Sequence, residues 1–169
     1  YYYYENSRWE EAKRWYIKVG EQGDVGAMLN LALLYENEKD EKKAEKWYLK
    51  AAEAGNAQAQ YNLGIIYMEN ADFNKAEEWY LKAANQSHLS SYRALGYIYS
   101  EEEKYKEAEK WYLKALEMGD QSKEIYNNIG NLYFNINEFE KSLYFFFYSF
   151  DKDSNNVTIN CNILKLNNN

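Results

Sequence analysis

The chain contains no proline, one cysteine (Cys161), one histidine (His88) and eight glycines among its 169 residues. Without proline, and with glycine this sparse, few points remain at which a helix is forced to stop. A single cysteine excludes an intrachain disulfide framework and accords with a reducing compartment, which favours the cytoplasm. One histidine and one cysteine also leave little from which to assemble a nucleophile and base, or a metal centre, since either needs several groups converging. No run of about 20 apolar residues exists to span a bilayer, and the longest ring-rich stretch, residues 143–150, is far shorter. Clustered Lys and Arg are missing too. The 20 basic residues are interspersed with 27 acidic ones, for a net charge of -7, which argues against a phosphate-neutralising nucleic-acid surface and favours basic or neutral partners.

What is present is helix-forming and ring-rich. Leu, Ala, Glu and Lys abound, and aromatic residues make up 18% of the chain, with 19 Tyr and 5 Trp. Rings in that number need a packed surface to cover them, so the chain folds. The length suits one domain over residues 1–169.

Trp-Tyr pairs recur at Trp15-Tyr16, Trp47-Tyr48, Trp79-Tyr80 and Trp111-Tyr112, each 32 residues after the last. Ala12, Ala44, Ala76 and Ala108 stand three residues before each Trp, and Ala51, Ala83 and Ala115 four after the last three, which is helical spacing. A second series, Leu31-Ala32, Leu63-Gly64, Leu95-Gly96 and Ile129-Gly130, is followed three residues on by Tyr35, Tyr67, Tyr99 and Tyr133. Each unit therefore holds two helices. The last interval lengthens to 34 residues, which places two extra residues in the turn at 121–123.

Turn chemistry supports the division. Gly23-Asp24, Gly55-Asn56 and Gly119-Asp120 close second helices with a residue suited to the left-handed conformation, then one suited to capping the next helix. Asp40 and Asp72 begin second helices after a loop of about four residues, short enough to make antiparallel hairpins. The expected organisation is a partial repeat at 1–22, repeats at 25–56, 57–88, 89–122 and 123–154, and a capping helix at 155–169. The repeat count ends a first helix near Tyr3, half a repeat into a unit.

The series Ala32, Tyr35, Ala44, Tyr48 and Ala51 reproduces the pattern of tetratricopeptide repeats. The phrases WYLKAAEAGNAQAQYNLGIIY and WYLKAANQSHLSSYRALGYIY resemble the related Sel-like repeats, although the loop between the two helices is shorter than is usual there. The resemblance covers residues 8–151. It implies an all-α, right-handed α-solenoid of stacked antiparallel helix pairs, whose first helices line a concave wall and whose second helices face outward. Gly64, Gly96 and Gly130 cost their helices about 1 kcal/mol each against Ala. They are therefore expected where a facing helix comes too close for a side chain. The Trp and Tyr of the second helices are expected to fill the space between hairpins, each ring contributing about 2 to 3 kcal/mol.

His88 occupies the turn position held elsewhere by Asp24, Asn56 and Asp120, which makes it a solvated turn residue in the sequence reading. Cys161 is expected to pack in the tail, and Glu101-Glu102-Glu103 to be a solvated charge run. No catalytic, cofactor-binding or metal site is expected, and no phosphate-cradling loop is present. The resemblance implies that positions on the first helices meet bound peptides: Asn30 and Leu33; Tyr61, Asn62, Ile65 and Met68; Arg93 and Tyr97; Asn128, Asn131 and Phe134. Leu29, Glu36, Glu101 and Asn127 belong to the same inner set. Asn30, Asn62 and Asn128 share one repeat position, where an amide could serve a peptide backbone or bond within the fold. Arg93 alone matches the cations with which related repeats hold a terminal carboxylate. The partner is thus a protein or peptide, with no nucleic acid and no membrane span. The function expected is an interaction scaffold, with self-assembly through the N-terminal partial repeat or a C-terminal aromatic patch as the alternative and a homo-oligomer as its consequence. Tyr144 and Tyr148 replace the charged residues of earlier units; the expectation is that either the C-terminal helix folds over them or they form that patch.

Overall fold

The computed structural model describes residues 2–150, with side chains from residue 9 to residue 149. Among the described residues there are nine α-helices and no strand: α1 (Tyr2–Glu21), α2 (Val25–Asn37), α3 (Glu41–Glu53), α4 (Ala57–Glu69), α5 (Phe73–Asn85), α6 (Leu89–Glu101), α7 (Tyr105–Glu117), α8 (Lys123–Asn135) and α9 (Phe139–Phe150). They form two compact units, Tyr1–Asp120 and Gln121–Asn169. In the first unit each helix from α1 to α6 packs on its successor in the chain; in the second, α8 packs on α9. The capping helix expected at 155–169 lies outside the described residues.

The second helices are amphipathic for a simple reason. In α3 the buried residues are Ala44, Trp47, Tyr48, Ala51 and Ala52, and α5 repeats the set with Ala76, Trp79, Tyr80, Ala83 and Ala84. These follow the three-four rhythm of one helix face. First helices are covered on two sides and are apolar more nearly all round; α4 buries Ala59, Gln60, Leu63 and Gly64. Leu31, Ala32, Trp47, Tyr48, Leu63 and Trp79 belong to one continuous core in the first unit.

The small residues of the first helices admit rings. A Cβ built on Gly64 would lie 2.3 Å from the Tyr80 ring, and one on Gly96 2.4 Å from the ring of Tyr112. In the second unit the corresponding distance from Gly130 to the Phe146 ring is 2.7 Å. What approaches closely is thus the ring of the hairpin's own second helix.

Both kinds of turn share one device. In the turn after α3, Gly55 N–H donates to Ala52 C=O and Asn56 N–H to Ala51 C=O, with Gly55 at φ +91. The turn after α4 does the same without glycine: Ala71 N–H donates to Met68 C=O and Asp72 N–H to Tyr67 C=O, with Ala71 at φ 58. This pair of bonds satisfies carbonyls that the helix end would otherwise leave open. Lys39, Ser87, Glu103 and Asn137 take the same left-handed conformation. Asp24, Asp40, Asn56 and Asp72 then cap the following helices through backbone N–H bonds of 2.6, 3.2, 2.8 and 3.3 Å.

Three local expectations are corrected. α1 runs unbroken from Tyr2 to Glu21, so no first helix ends near Tyr3. The repeat register puts Arg8 where Asp40 and Asp72 stand, and Arg has no oxygen to accept a capping bond. Asp120 does not cap α8; the two extra residues hand that role to Ser122, whose hydroxyl accepts from Ile125 N–H. Tyr148 is buried rather than part of a surface patch, its ring lying 4.9 Å from that of Tyr126.

The tryptophans divide. Trp47 and Trp79 are buried, with the ammonium groups of Lys50 and Lys82 lying 4.1 and 3.8 Å from their ring centroids. Trp111 is half-buried, whereas Trp15 is 58% exposed. Trp47 is covered by α1: a Cβ on Gly20 would stand 3.2 Å from its indole. No described second helix precedes α1 to do the same for Trp15.

Candidate functional site: the face of the first helices

In the first unit, the first helices α2, α4 and α6 carry eight of the expected contact residues. Leu33 is 38% exposed and Tyr97 43%. Asn30 is also exposed, while Tyr61, Asn62, Ile65, Met68 and Arg93 are half-buried. Spacings of three and four put Tyr61, Asn62, Ile65 and Met68 on one side of α4. The remaining three lie in the second unit on α8: Asn128 half-buried, Asn131 and Phe134 exposed. The Phe134 ring meets that of Phe139 edge-on, with centroids 5.6 Å apart.

The asparagines of the shared position differ. Asn62 Oδ1 accepts from Gln58 Nε2 at 2.9 Å, and the Asn62 side chain also bonds to the Tyr48 hydroxyl. Asn30 and Asn128 make no side-chain hydrogen bond among the described residues. One amide of the three is therefore engaged within the fold, and two have their donors and acceptors available.

Arg93 is also engaged. Its Nη1 lies 3.0 Å from Asp120 Oδ2, and Asp120 is buried. The longer turn that releases Asp120 from capping makes this pair possible. Sequence reading did not connect the two, because the residues are 27 apart and Asp120 looks like a cap.

Carboxylates accompany the tyrosines. Tyr48 Oη donates to Glu36 Oε2 at 2.5 Å; burial first, then this carboxylate, pushes the Tyr48 hydroxyl well above its usual range. Burial likewise raises Tyr80 and Tyr112, with Glu69 and Glu101 among the lesser causes. Tyr99 Oη donates to Glu77, and that bond, followed by burial, pushes it up to about 12. Glu36, Glu69 and Glu101 sit in the last turns of α2, α4 and α6, where no basic residue stands. None of the three forms an ion pair among the described residues. By contrast α3, α5 and α7 each carry a lysine in the last turn. The carboxyl-terminal ends of these first helices, already negative through the helix dipole, are negative again through their side chains.

His88 is not the solvated turn residue of the sequence reading. It is half-buried, its ring 4.8 Å from that of Tyr61 and its Nδ1 3.0 Å from Ser91 Oγ. Nε2 lies 3.2 Å from Gln58 Oε1, an acceptor, so the tautomer that satisfies both contacts has Nε2–H donating to Gln58 and Nδ1 accepting from Ser91. Burial holds the imidazole below its ordinary pKa. The pair resembles a nucleophile and base, but Ser91 is fully buried and no substrate could reach its hydroxyl. Among the described residues, no three His, Cys, Asp or Glu side chains gather as a metal would require, and no helix is long and apolar enough to cross a membrane.

The tetratricopeptide repeat family matches residues 55–121, and the Sel1 repeat family matches residues 10–24 and 25–56. The chain belongs to the tetratricopeptide and Sel1-like repeat family. A Sel1 repeat protein from Oxalobacter formigenes is 32% identical, with a TM-score of 0.69 over 88% of this chain and 65% of its own. The c5321 protein, a protective antigen present in uropathogenic Escherichia coli strains and displaying an SLR fold, is 28% identical with a TM-score of 0.70; the match covers 84% of this chain but 33% of c5321. MamA shares the fold at 21% identity and a TM-score of 0.72, over 88% of this chain and 90% of MamA. No curated protein sequence matches the chain. The fold is thus an all-α repeat solenoid, and repeats of this family are generally non-enzymatic scaffolds for protein interaction.

Proposed function

We propose that the chain is an adaptor that holds an extended segment of another protein on the face of its first helices. The observation carrying this is the composition of that face in the first unit. Leu33 and Tyr97 stand open to water beside half-buried Tyr61, Ile65 and Met68, and Glu36, Glu69 and Glu101, which form no ion pair among the described residues, sit in the last turns of the same helices. An extended peptide seats alternate side chains in apolar recesses and needs partners for its backbone amides, which Asn30 supplies in part, Asn62 being bonded to Gln58 and Tyr48. Asn128, Asn131 and Phe134 offer the same chemistry on α8. The partner best matched is basic as well as apolar, since the glutamates meet cations and the charge of Arg93 is already answered by Asp120. Arg93 orients the face more than it attracts a carboxylate.

Fluorescence anisotropy with labelled ten-residue peptides tests this, comparing alternating Lys-Leu with alternating Glu-Leu at low and moderate salt. The basic peptide binds with a Kd on the order of micromolar, because ordering the chain offsets much of the contact energy. Tyr97→Ala weakens it by at least about tenfold, as loss of an anchoring ring does. Equal binding of both peptides, or no effect of Tyr97→Ala, counts against the assignment of the face.

A second reading, self-assembly, has the exposure of Trp15 in its favour. At the equivalent position Trp47 is covered by a preceding second helix, and a helix of another copy could cover Trp15. Light scattering across protein concentration distinguishes the two readings: an adaptor stays monomeric without its partner.

A further inference from the structure

Glu36 stands at one end of a row of side-chain hydrogen bonds that crosses α2, α3, α4 and α6. Tyr48 Oη donates to its Oε2 at 2.5 Å. An ionised carboxylate only accepts, and a tyrosine hydroxyl has a single proton to give. The bond between Asn62 and Tyr48 therefore runs from Asn62 Nδ2 to Tyr48 Oη. Asn62 Oδ1 then accepts from Gln58 Nε2, Gln58 Oε1 accepts from His88 Nε2, and Ser91 Oγ is left to donate to His88 Nδ1. The carboxylate thus sets the direction of every bond in the row, the His88 tautomer included.

This row occurs in one place along the repeats. The repeat position of Glu36 holds Met68, Ser100 and Phe134 in later units, and that of Gln58 holds Gly26, Ser90 and Glu124 in the others. Tyr48 is buried, whereas Glu36 is open to water, so one carboxylate oxygen is fixed from inside and the charge still faces outward. Nothing nearby answers that charge. Lys13 and Lys43, which lie over the neighbouring Tyr35 ring, pair with Glu38 and Asp40. The other glutamates of the face are held differently: Glu101 bonds to the exposed Tyr97, and Glu69 makes no side-chain hydrogen bond among the described residues. Asn30, Leu33 and Glu36 follow one another at spacings of three along one side of α2.

We infer that Glu36 selects a lysine or arginine side chain of the bound segment, a role that rests on the adaptor reading of this face, and that Tyr48 and Asn62 are positioning residues that hold its carboxylate for that cation. A glutamate free to rotate loses side-chain entropy when it pairs; one already held loses less. The cation then lies about one helical turn beyond the apolar side chain seated on Leu33.

Anisotropy at low salt with two ten-residue peptides, alternating Lys-Leu and alternating Gln-Leu, tests this on the full chain. Glu36→Gln weakens the Lys-Leu peptide about fivefold, as loss of one well-held charge pair does, and leaves the Gln-Leu peptide within about twofold. Tyr48→Phe keeps the ring and the charge of Glu36, and weakens the Lys-Leu peptide about threefold while sparing Gln-Leu. In the double variant the two losses do not add, because Tyr48 acts through Glu36. Glu69→Gln, the control, changes neither peptide by more than about twofold. Equal losses from Glu36→Gln and Glu69→Gln overturn the inference in favour of a diffuse negative surface. A Tyr48→Phe loss that extends to the Gln-Leu peptide, or that persists beside Glu36→Gln, overturns the positioning role. Failure of the Lys-Leu peptide to bind the wild-type chain at all brings down the adaptor reading, and this role with it.

Discussion

At the level of single residues, one motif position can mean different things. Trp15, Trp47 and Trp79 occupy the same place in the repeat, yet Trp47 and Trp79 are buried and Trp15 is mostly in water. Trp79→Ala should therefore cost about 3 to 5 kcal/mol, as truncation of a buried ring does. Trp15→Ala should change stability by no more than about 0.5 kcal/mol. Urea denaturation of the two variants reads this difference, and similar costs would contradict the burial pattern. His88 supplies a pH dependence whose sign is fixed by its surroundings. Burial lowers its pKa in the folded state below the ordinary 6.5, so folding favours the neutral ring. Its contribution is present above that ordinary value and is lost as pH falls through the lowered one. Stability measured from pH 7 down to about 5 should decline in the wild type. It should decline less in His88→Asn, which cannot titrate and carries the residue that caps α4 at Asn56.

At the level of helices, the sequence was most readable where chemistry repeats at fixed spacing. The eight helices from α1 to α8 could be counted from the Trp-Tyr and Leu-Gly series, and the small residues at 64, 96 and 130 were read as close-packing positions. The structure adds that a ring, not a neighbouring helix backbone, fills the space. Less visible were the turns inside hairpins, because Lys39, Ala71, Glu103 and Asn137 adopt a conformation that sequence reading assigns to glycine. Their cost is met by the backbone bonds that close each helix end, and those bonds leave no signature in residue type. The inner face was legible as a set of positions but not in its pairings. That Asp120 would turn back to Arg93 depends on Ser122 taking over the cap of α8, a long-range consequence of two inserted residues. Caps give a prediction of their own. α7 begins at Lys104 without a side-chain cap bond, whereas Asp40 and Asp72 hold the same place in α3 and α5. Lys104→Asp should stabilise the chain by about 0.5 to 1 kcal/mol, net of losing the exposed pair between Lys104 and Glu102. An unchanged urea midpoint would show that the cap has no effect at this turn.

At the level of the whole molecule, stability in a repeat protein is approximately a sum over neighbouring units, since each helix touches chiefly the helices beside it in sequence. The unit Tyr1–Asp120 shows this arrangement from α1 to α7, with a core running through Leu31, Trp47, Leu63 and Trp79. Its Arg93–Asp120 pair lies within the same boundary, so cutting the chain after Asp120 leaves no buried charge of that pair behind. The contacts are local in sequence, which also favours rapid folding. A fragment of residues 1–120 should therefore fold by itself. Its far-ultraviolet circular dichroism per residue should match or exceed that of the full chain. Its urea transition should remain cooperative, with a smaller slope in proportion to the smaller surface exposed on unfolding. The fragment also retains every residue of the proposed binding face on α2, α4 and α6, so the anisotropy assay can be repeated on it. Helicity lost throughout the fragment, or a broad transition without a midpoint, would mean that the first unit draws its stability from residues after Asp120.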